Sequence, residues 1–79
     1  MTKVTWKLEL DTSGLLCPLP VLKARKKLKG MLMGEVLRLI ADDPAALIDV
    51  EYYCKESGQK LLEQSFEDKH QIYLIKKMV

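Results

Sequence analysis

Polar and apolar residues alternate strictly through "VTWKLEL" near the start of the chain. Val4, Trp6, Leu8 and Leu10 fall on one side, and Thr5, Lys7 and Glu9 on the other, the period of a half-buried strand. Asp11 to Gly14 then supply turn chemistry. Beyond the prolines the period changes. Val21, Ala24, Leu28 and Leu32 recur every three to four residues, which predicts a helix with one core-facing stripe. Pro18 and Pro20 suit its first turn, where backbone donors lack partners anyway, and Gly30 and Gly34 bracket its exit. "EVLRLIA" (35–41) predicts a second strand. In "DDP", Asp43 is placed as an N-cap and Pro44 as the first residue of a helix running to Ser57. Leu47, Val50 and Cys54 share its apolar face, with Ala46 and Tyr53 beside them, and Gly58 is its terminator. "KLLEQSF" and "IYLIKK" predict two strands joined through "EDKH" as an antiparallel hairpin.

The resulting order is βαβαββ. A strand–helix–strand unit implies that the first two strands are parallel and the crossover right-handed. The polar face of the first strand predicts a sheet that is wet on one side, so both helices cover the other. The expected fold class is therefore α/β: a two-layer sandwich with a mixed four-stranded sheet and two helices on one face.

Length and composition narrow what such a fold can do. Seventy-nine residues predict one domain, 1–79, which buries only roughly 60–65% of the surface of its unfolded chain. A large internal active-site cavity is not expected, so chemistry belongs at the surface, with help from a larger partner. Hydrophobic residues make up 48% of the chain and charged residues 30%. No apolar run approaches the ~20 residues of a membrane span, and the first residues lack a signal-peptide core. A cytoplasmic location is expected, where a structural disulfide between the two cysteines is disfavoured. A net charge of +2 is too small to argue for nucleic-acid binding.

Parallel strands deliver their following loops to the same sheet edge, where sites in open α/β sheets gather. Cys17 follows the first strand, and Asp42 and Asp43 follow the second. If those strands are neighbours, thiol and carboxylates meet. Cys17 also occupies an N-cap-like position, where the helix dipole slightly favours a thiolate. Against this, Pro18 and Pro20 remove two backbone donors, and the aspartates disfavour the anion. The balance describes a rigidly presented thiol rather than an aggressive nucleophile. Lys23, Arg25, Lys26, Lys27 and Lys29 spread around the exposed surface of the following helix. They read as a solvated face or as a docking surface for an acidic partner, steered in a salt-dependent way. Cys54 reads as a core cysteine, with a resolving thiol or a second sulfur site as the alternative. His70, the only histidine, is explained by its turn. Two cysteines and one histidine at these spacings match no zinc pattern, and no metal is expected. Trp6 and the Tyr52–Tyr53 pair read as core and rim packing.

The stretches "LDTSGLLCPLPVLKARKKL", "GEVLRLIADDPAALIDVEYYC" and the closing "YLIKK" together resemble the TusA/SirA-like sulfur-carrier proteins along nearly the whole chain. The cysteine-proline-any-proline motif behind a glycine turn, joined to "ADDP" at this distance, carries the resemblance. It implies a two-layer sandwich and a sulfurtransferase that works as a persulfide relay. Cys17 would accept sulfane sulfur from a cysteine desulfurase or a rhodanese-like donor and pass it to an acceptor protein. tRNA thiolation, cofactor biosynthesis and sulfur oxidation are the destinations the family implies. By the same resemblance Gly14, Pro18 and Pro20 shape the loop, and Asp42, Asp43 and Pro44 form a second loop near it. Leu19, Lys23, Arg25 and Lys26 would meet partners. No cofactor is expected beyond the transient covalent persulfide, and neither direct nucleic-acid contact nor a membrane. Where tRNA-thiolation members often have an acidic residue between the prolines this chain has Leu19, a departure that bears on the pathway rather than the carrier role. Two alternatives stand beside this reading: a Cys17/Cys54 dithiol redox protein, and a noncatalytic regulatory or RNA-binding module using the basic helix.

Overall fold

The computed structural model describes residues 5–79. Its elements follow the expected order: β1 (Leu8–Asp11), α1 (Leu19–Lys29), β2 (Val36–Ala41), α2 (Ala46–Ser57), β3 (Lys60–Glu67) and β4 (His70–Lys76). The sheet order is β1-β2-β4-β3. β1 runs parallel to β2, and β4 is antiparallel to both its neighbours. Strand β4 therefore lies inside the sheet, and five consecutive residues, Gln71 to Ile75, are buried. An unbroken apolar run suits a strand covered on both faces.

Alternation along β2 sorts the two faces. Leu37, Leu39 and Ala41 are fully buried, opposite Ile75, Tyr73 and Gln71 of β4. Ala24 and Leu28 of α1, and Ala46, Val50 and Cys54 of α2, pack onto that face. Both helices thus cover one side, as the alternation required. The other side is only partly wet. Arg38 crosses it, pairing with Glu9 of β1 and Glu67 of β3, and Ile72 and Leu74 are buried there.

Several local expectations shift. Trp6 does not share the core face with Leu8 and Leu10: the chain bends at Lys7, so strand alternation starts only at Leu8. The indole instead lies over the Arg38 guanidinium, 4.9 Å from ring centroid to carbon, a cation–π contact. Val4 falls outside the described residues. Leu32 was expected on the α1 stripe, but the helix stops at Lys29, and Leu32 is exposed while Met31 turns inward. Lys77 finishes that turn by donating to the carbonyls of Lys29 and Met31 at 3.2 and 2.7 Å, satisfying acceptors that a helix end leaves free. Helix α2 begins at Ala46 rather than Pro44, and its N-cap position is Ala45, not Asp43. Gly58 ends α2 as expected, with φ +87° and its N–H bonded to the Cys54 carbonyl at 3.1 Å.

Candidate functional site

The loop from Thr12 to Pro18 is built by bonds to its own strand and to the neighbouring one. Thr12 is buried and donates from both its backbone N–H (2.8 Å) and its hydroxyl (2.5 Å) to the Ile40 carbonyl of β2. Asp11 accepts from the Ser13 N–H at 2.9 Å and from its hydroxyl at 2.6 Å, which sets the turn and holds the Asp11 carboxyl below the usual range. Gly14 follows with φ +82°, and open space surrounds the place a side chain would occupy. Glycine is thus required there by backbone conformation alone.

Two aspartates of the β2–α2 loop tether what comes next. The Gly14 N–H donates to both carboxylate oxygens of Asp42 at 3.0 Å. The Cys17 N–H donates to Asp43 at 2.5 Å. The other Asp43 oxygen accepts from the Ala45 N–H at 3.1 Å, so Asp43 shapes the turn before α2 instead of capping the helix, and Pro44 sits in that turn. The two backbone donors hold the Asp43 carboxyl below its ordinary range. A chain of bonds anchors Asp43 to the core. The buried Tyr73 hydroxyl donates to Gln71, and Gln71 donates to the Asp43 carbonyl at 2.8 Å. Burial, with Glu51 nearby, pushes the Tyr73 hydroxyl up to about 12.

Cys17 is exposed and joined to Pro18 by a cis peptide bond. Pro18, not Cys17, takes the N-cap position of α1, and no side chain caps that helix. The expected gain from the helix dipole is outweighed. The Cys17 thiol donates its hydrogen to the carboxylate of Asp49 in the first turn of α2. That bond, then partial desolvation and the charges of Asp49 and Asp43, raise the thiol above its ordinary value. The sheet edge thus brings Cys17 together with Asp42 and Asp43 as expected, and adds Asp49. Asp49 is the site residue that sequence reasoning missed. Its signal was one of spacing: a first-turn residue of the helix that follows "ADDP" stands at the same edge as the thiol.

The remaining candidates lie around this centre. Leu19 is 44% exposed, and Lys23, Arg25 and Lys26 are exposed on α1. Pro20 is buried at the second helical position. Next to Pro18, an open groove of about 630 Å³ lies between the two helices. Pro18, Val21, Arg25 and Lys29 form one wall, and Asp49 and Tyr52 part of the other. Tyr52 is exposed in this groove, and neighbouring Tyr53 packs partly against the core. Cys54 is buried, and burial pushes its thiol up to about 11.

The two-layer α/β sandwich that sets the Cys17 thiol at the carboxyl ends of two parallel strands has a solved counterpart in its fold. The fold matches the crystal structure of a SirA-like protein from Desulfitobacterium hafniense with a TM-score of 0.80, over 92% of this chain and 100% of that one, at 21% identity. The sequence narrows this class. Residues 8–77 match the family described as sulfurtransferase TusA, and the chain belongs to that family of sulfur carriers. It is 46% identical over 69 residues to the sulfur carrier protein TusA of Allochromatium vinosum, covering 87% of this chain and 91% of that protein. A putative sulfur carrier protein of Neisseria meningitidis serogroup A is 46% identical over 59 residues, 75% of this chain and 80% of the relative.

Proposed function

We propose that this sulfur carrier works as a persulfide relay on Cys17. The observation that carries the reading is the contrast in access: Cys17 is exposed on a tethered loop, whereas Cys54 is buried. A persulfide-bearing donor, a cysteine desulfurase or a rhodanese-like protein, presents its terminal sulfur to Cys17. The Cys17 sulfur forms a bond to that sulfane atom, the donor's S–S bond breaks, and the thiol proton ends on the donor's leaving sulfur. Cys17–SH and R–S–S⁻ become Cys17–S–S⁻ and R–SH. Handover to an acceptor protein repeats the exchange in the other direction. Access and nucleophile geometry govern such exchanges as much as acidity does.

The tethers to Asp42 and Asp43 support the positioning half of this scheme, because they fix the loop without enclosing the sulfur. Leu19, Lys23, Arg25 and Lys26 supply the surface around it that donor and acceptor meet, with on-rates that fall as salt rises. No helix among the described residues is long and apolar enough to cross a membrane, and we place the relay in the cytoplasm. tRNA thiolation, cofactor biosynthesis and sulfur oxidation remain the destinations to be distinguished by the acceptor found.

The test is loading. Incubation with a cysteine desulfurase and cysteine is expected to add one sulfur to the intact mass of the wild type and of Cys54→Ser, and none to Cys17→Ser. Sulfur retained on Cys17→Ser would overturn the assignment. A dithiol redox role finds little support in this geometry. Cys54 lies five residues beyond Asp49, about 7.5 Å further along α2, and its side chain packs in the core.

A further inference from the structure

Three aspartates approach the Cys17 loop, and they are not equivalent. Asp42 and Asp43 accept from backbone N–H groups, of Gly14 and of Cys17 and Ala45. Asp49 alone accepts from the sulfur itself, and among the described residues its carboxylate has no other hydrogen-bond donor. The charged groups around Cys17 come from each element that approaches it. The β2–α2 loop brings Asp42 and Asp43, and α2 brings Asp49. Helix α1 brings Arg25 and Lys29 into the groove that Pro18 and Asp49 also line. Glu56 of α2 and Lys77, just beyond β4, line the same groove, and Asp11 at the end of β1 bonds Ser13 within the Cys17 loop.

We propose that Asp49 is a positioning residue that parks the empty Cys17 sulfur against α2 and expels the loaded one toward partners. The proposal rests on the persulfide reading above. In the empty protein the thiol has a hydrogen to donate, and the carboxylate is its acceptor. A carboxylate is a far weaker base than a thiolate, with ordinary values of about 4 and about 8.5, so the proton stays on sulfur and the bond holds a neutral thiol in place. Loading removes the reason for the contact. When Cys17–SH and R–S–S⁻ exchange to Cys17–S–S⁻ and R–SH, the proton leaves with the donor thiol. The bridging Cys17 sulfur then carries no hydrogen, and the terminal sulfur is an anion, because a persulfide is more acidic than its parent thiol. A carboxylate facing that anion with no proton between them repels it. The same residue therefore holds the empty state closed and drives the loaded state outward. By holding the hydrogen on sulfur it also lowers the thiolate fraction of the empty protein, which slows reaction with stray oxidants.

The test compares both loading states of one substitution. In the empty protein, Asp49→Asn is expected to move the pH midpoint of Cys17 alkylation by iodoacetamide downward and to raise the rate at pH 7 several-fold. Asp49→Glu, which keeps the charge, is expected to keep the high midpoint. In protein loaded by a desulfurase and cysteine, alkylation of the terminal sulfur of Asp49→Asn is expected to be slower than wild type. Opposite behaviour of empty and loaded forms is the signature, because a merely loosened loop would speed both. An unchanged midpoint in Asp49→Asn, or a loaded form alkylated as fast as wild type or faster, overturns the proposal. The empty-state arm needs no persulfide, so a failure of Cys17 to load would sink the relay reading separately.

Discussion

The two cysteines make the most instructive comparison in this molecule. Both thiols are less acidic than ordinary ones, and the leading causes differ. Cys17 is raised first by donating to Asp49 and by the charges beside it. Cys54 is raised to about 11 by burial. Acidity does not separate the exposed sulfur from the buried one. Access does: one sits at the sheet edge on a loop tied down by carboxylates, the other on the core face of α2 with Val50 and Ala46. On the proposed relay, the exposed sulfur is the one that a partner's site can take in, and the tethers to Asp42 and Asp43 keep its pose.

The widest gap between the two is in modification under native conditions. Iodoacetamide at pH 8 is expected to label Cys17 about a thousandfold faster than Cys54 or more, because Cys54 becomes available only through opening of the core. Mass spectrometry of peptides from native and unfolded samples measures this, and comparable rates would dissolve the distinction. A smaller effect tests the cause of the Cys54 shift. Its folded value lies above its unfolded one, so its contribution to stability is complete below about pH 8.5 and is lost as pH rises toward about 11. The unfolding free energy from urea titrations is expected to fall across that window by at most about 1.4 kcal/mol per pH unit from this group. Tyr73, raised to about 12, extends the same trend. Cys54→Ala should flatten the lower part of the slope while leaving Cys17 alkylation unchanged.

The smallest expected effect concerns the tether. Asp43 is held below its ordinary range by the Cys17 and Ala45 N–H groups. Its contribution is therefore present above about pH 4 and lost as pH falls through its lower folded value. Asp43→Asn should reduce the acid dependence of the melting temperature slightly. It should also lower the rate of sulfur loading at pH 7, through a looser loop, without exposing Cys54. Loading as fast as wild type would mean that the Asp43 bond to Cys17 does not set the pose.

Much of this was legible along the chain. The switch from period two to period three or four located β1, α1, β2 and α2, because burying one face of an element requires that repeat. "SGLLCPLP" and "ADDP" marked the thiol and its carboxylate neighbours, since parallel strands bring successive loops to one edge. Gly58 closed α2 because a left-handed residue was needed there. The misses came where local rules met competition. Asp43 looks like an N-cap in isolation, but its side chain is engaged by Cys17, 26 residues away in sequence, so the helix starts later. Leu32 continues a helical repeat on paper, but Gly30 and the Lys77 bonds end the helix and hand the inward place to Met31. Trp6 continues an alternation that the bend at Lys7 interrupts before regular pairing with β2 starts at Leu8.

What the sequence by itself determined is the set of elements, the face each one buries, and the sulfur set behind the glycine turn. Only the tertiary structure decided that β4 inserts between β2 and β3, that Arg38 spans the open face, and that Asp49 meets the Cys17 thiol. These depend on residues distant in the chain coming within hydrogen-bonding or packing distance. Periodicity reports the faces of one element at a time, and it cannot say which side chain of the next element will stand opposite.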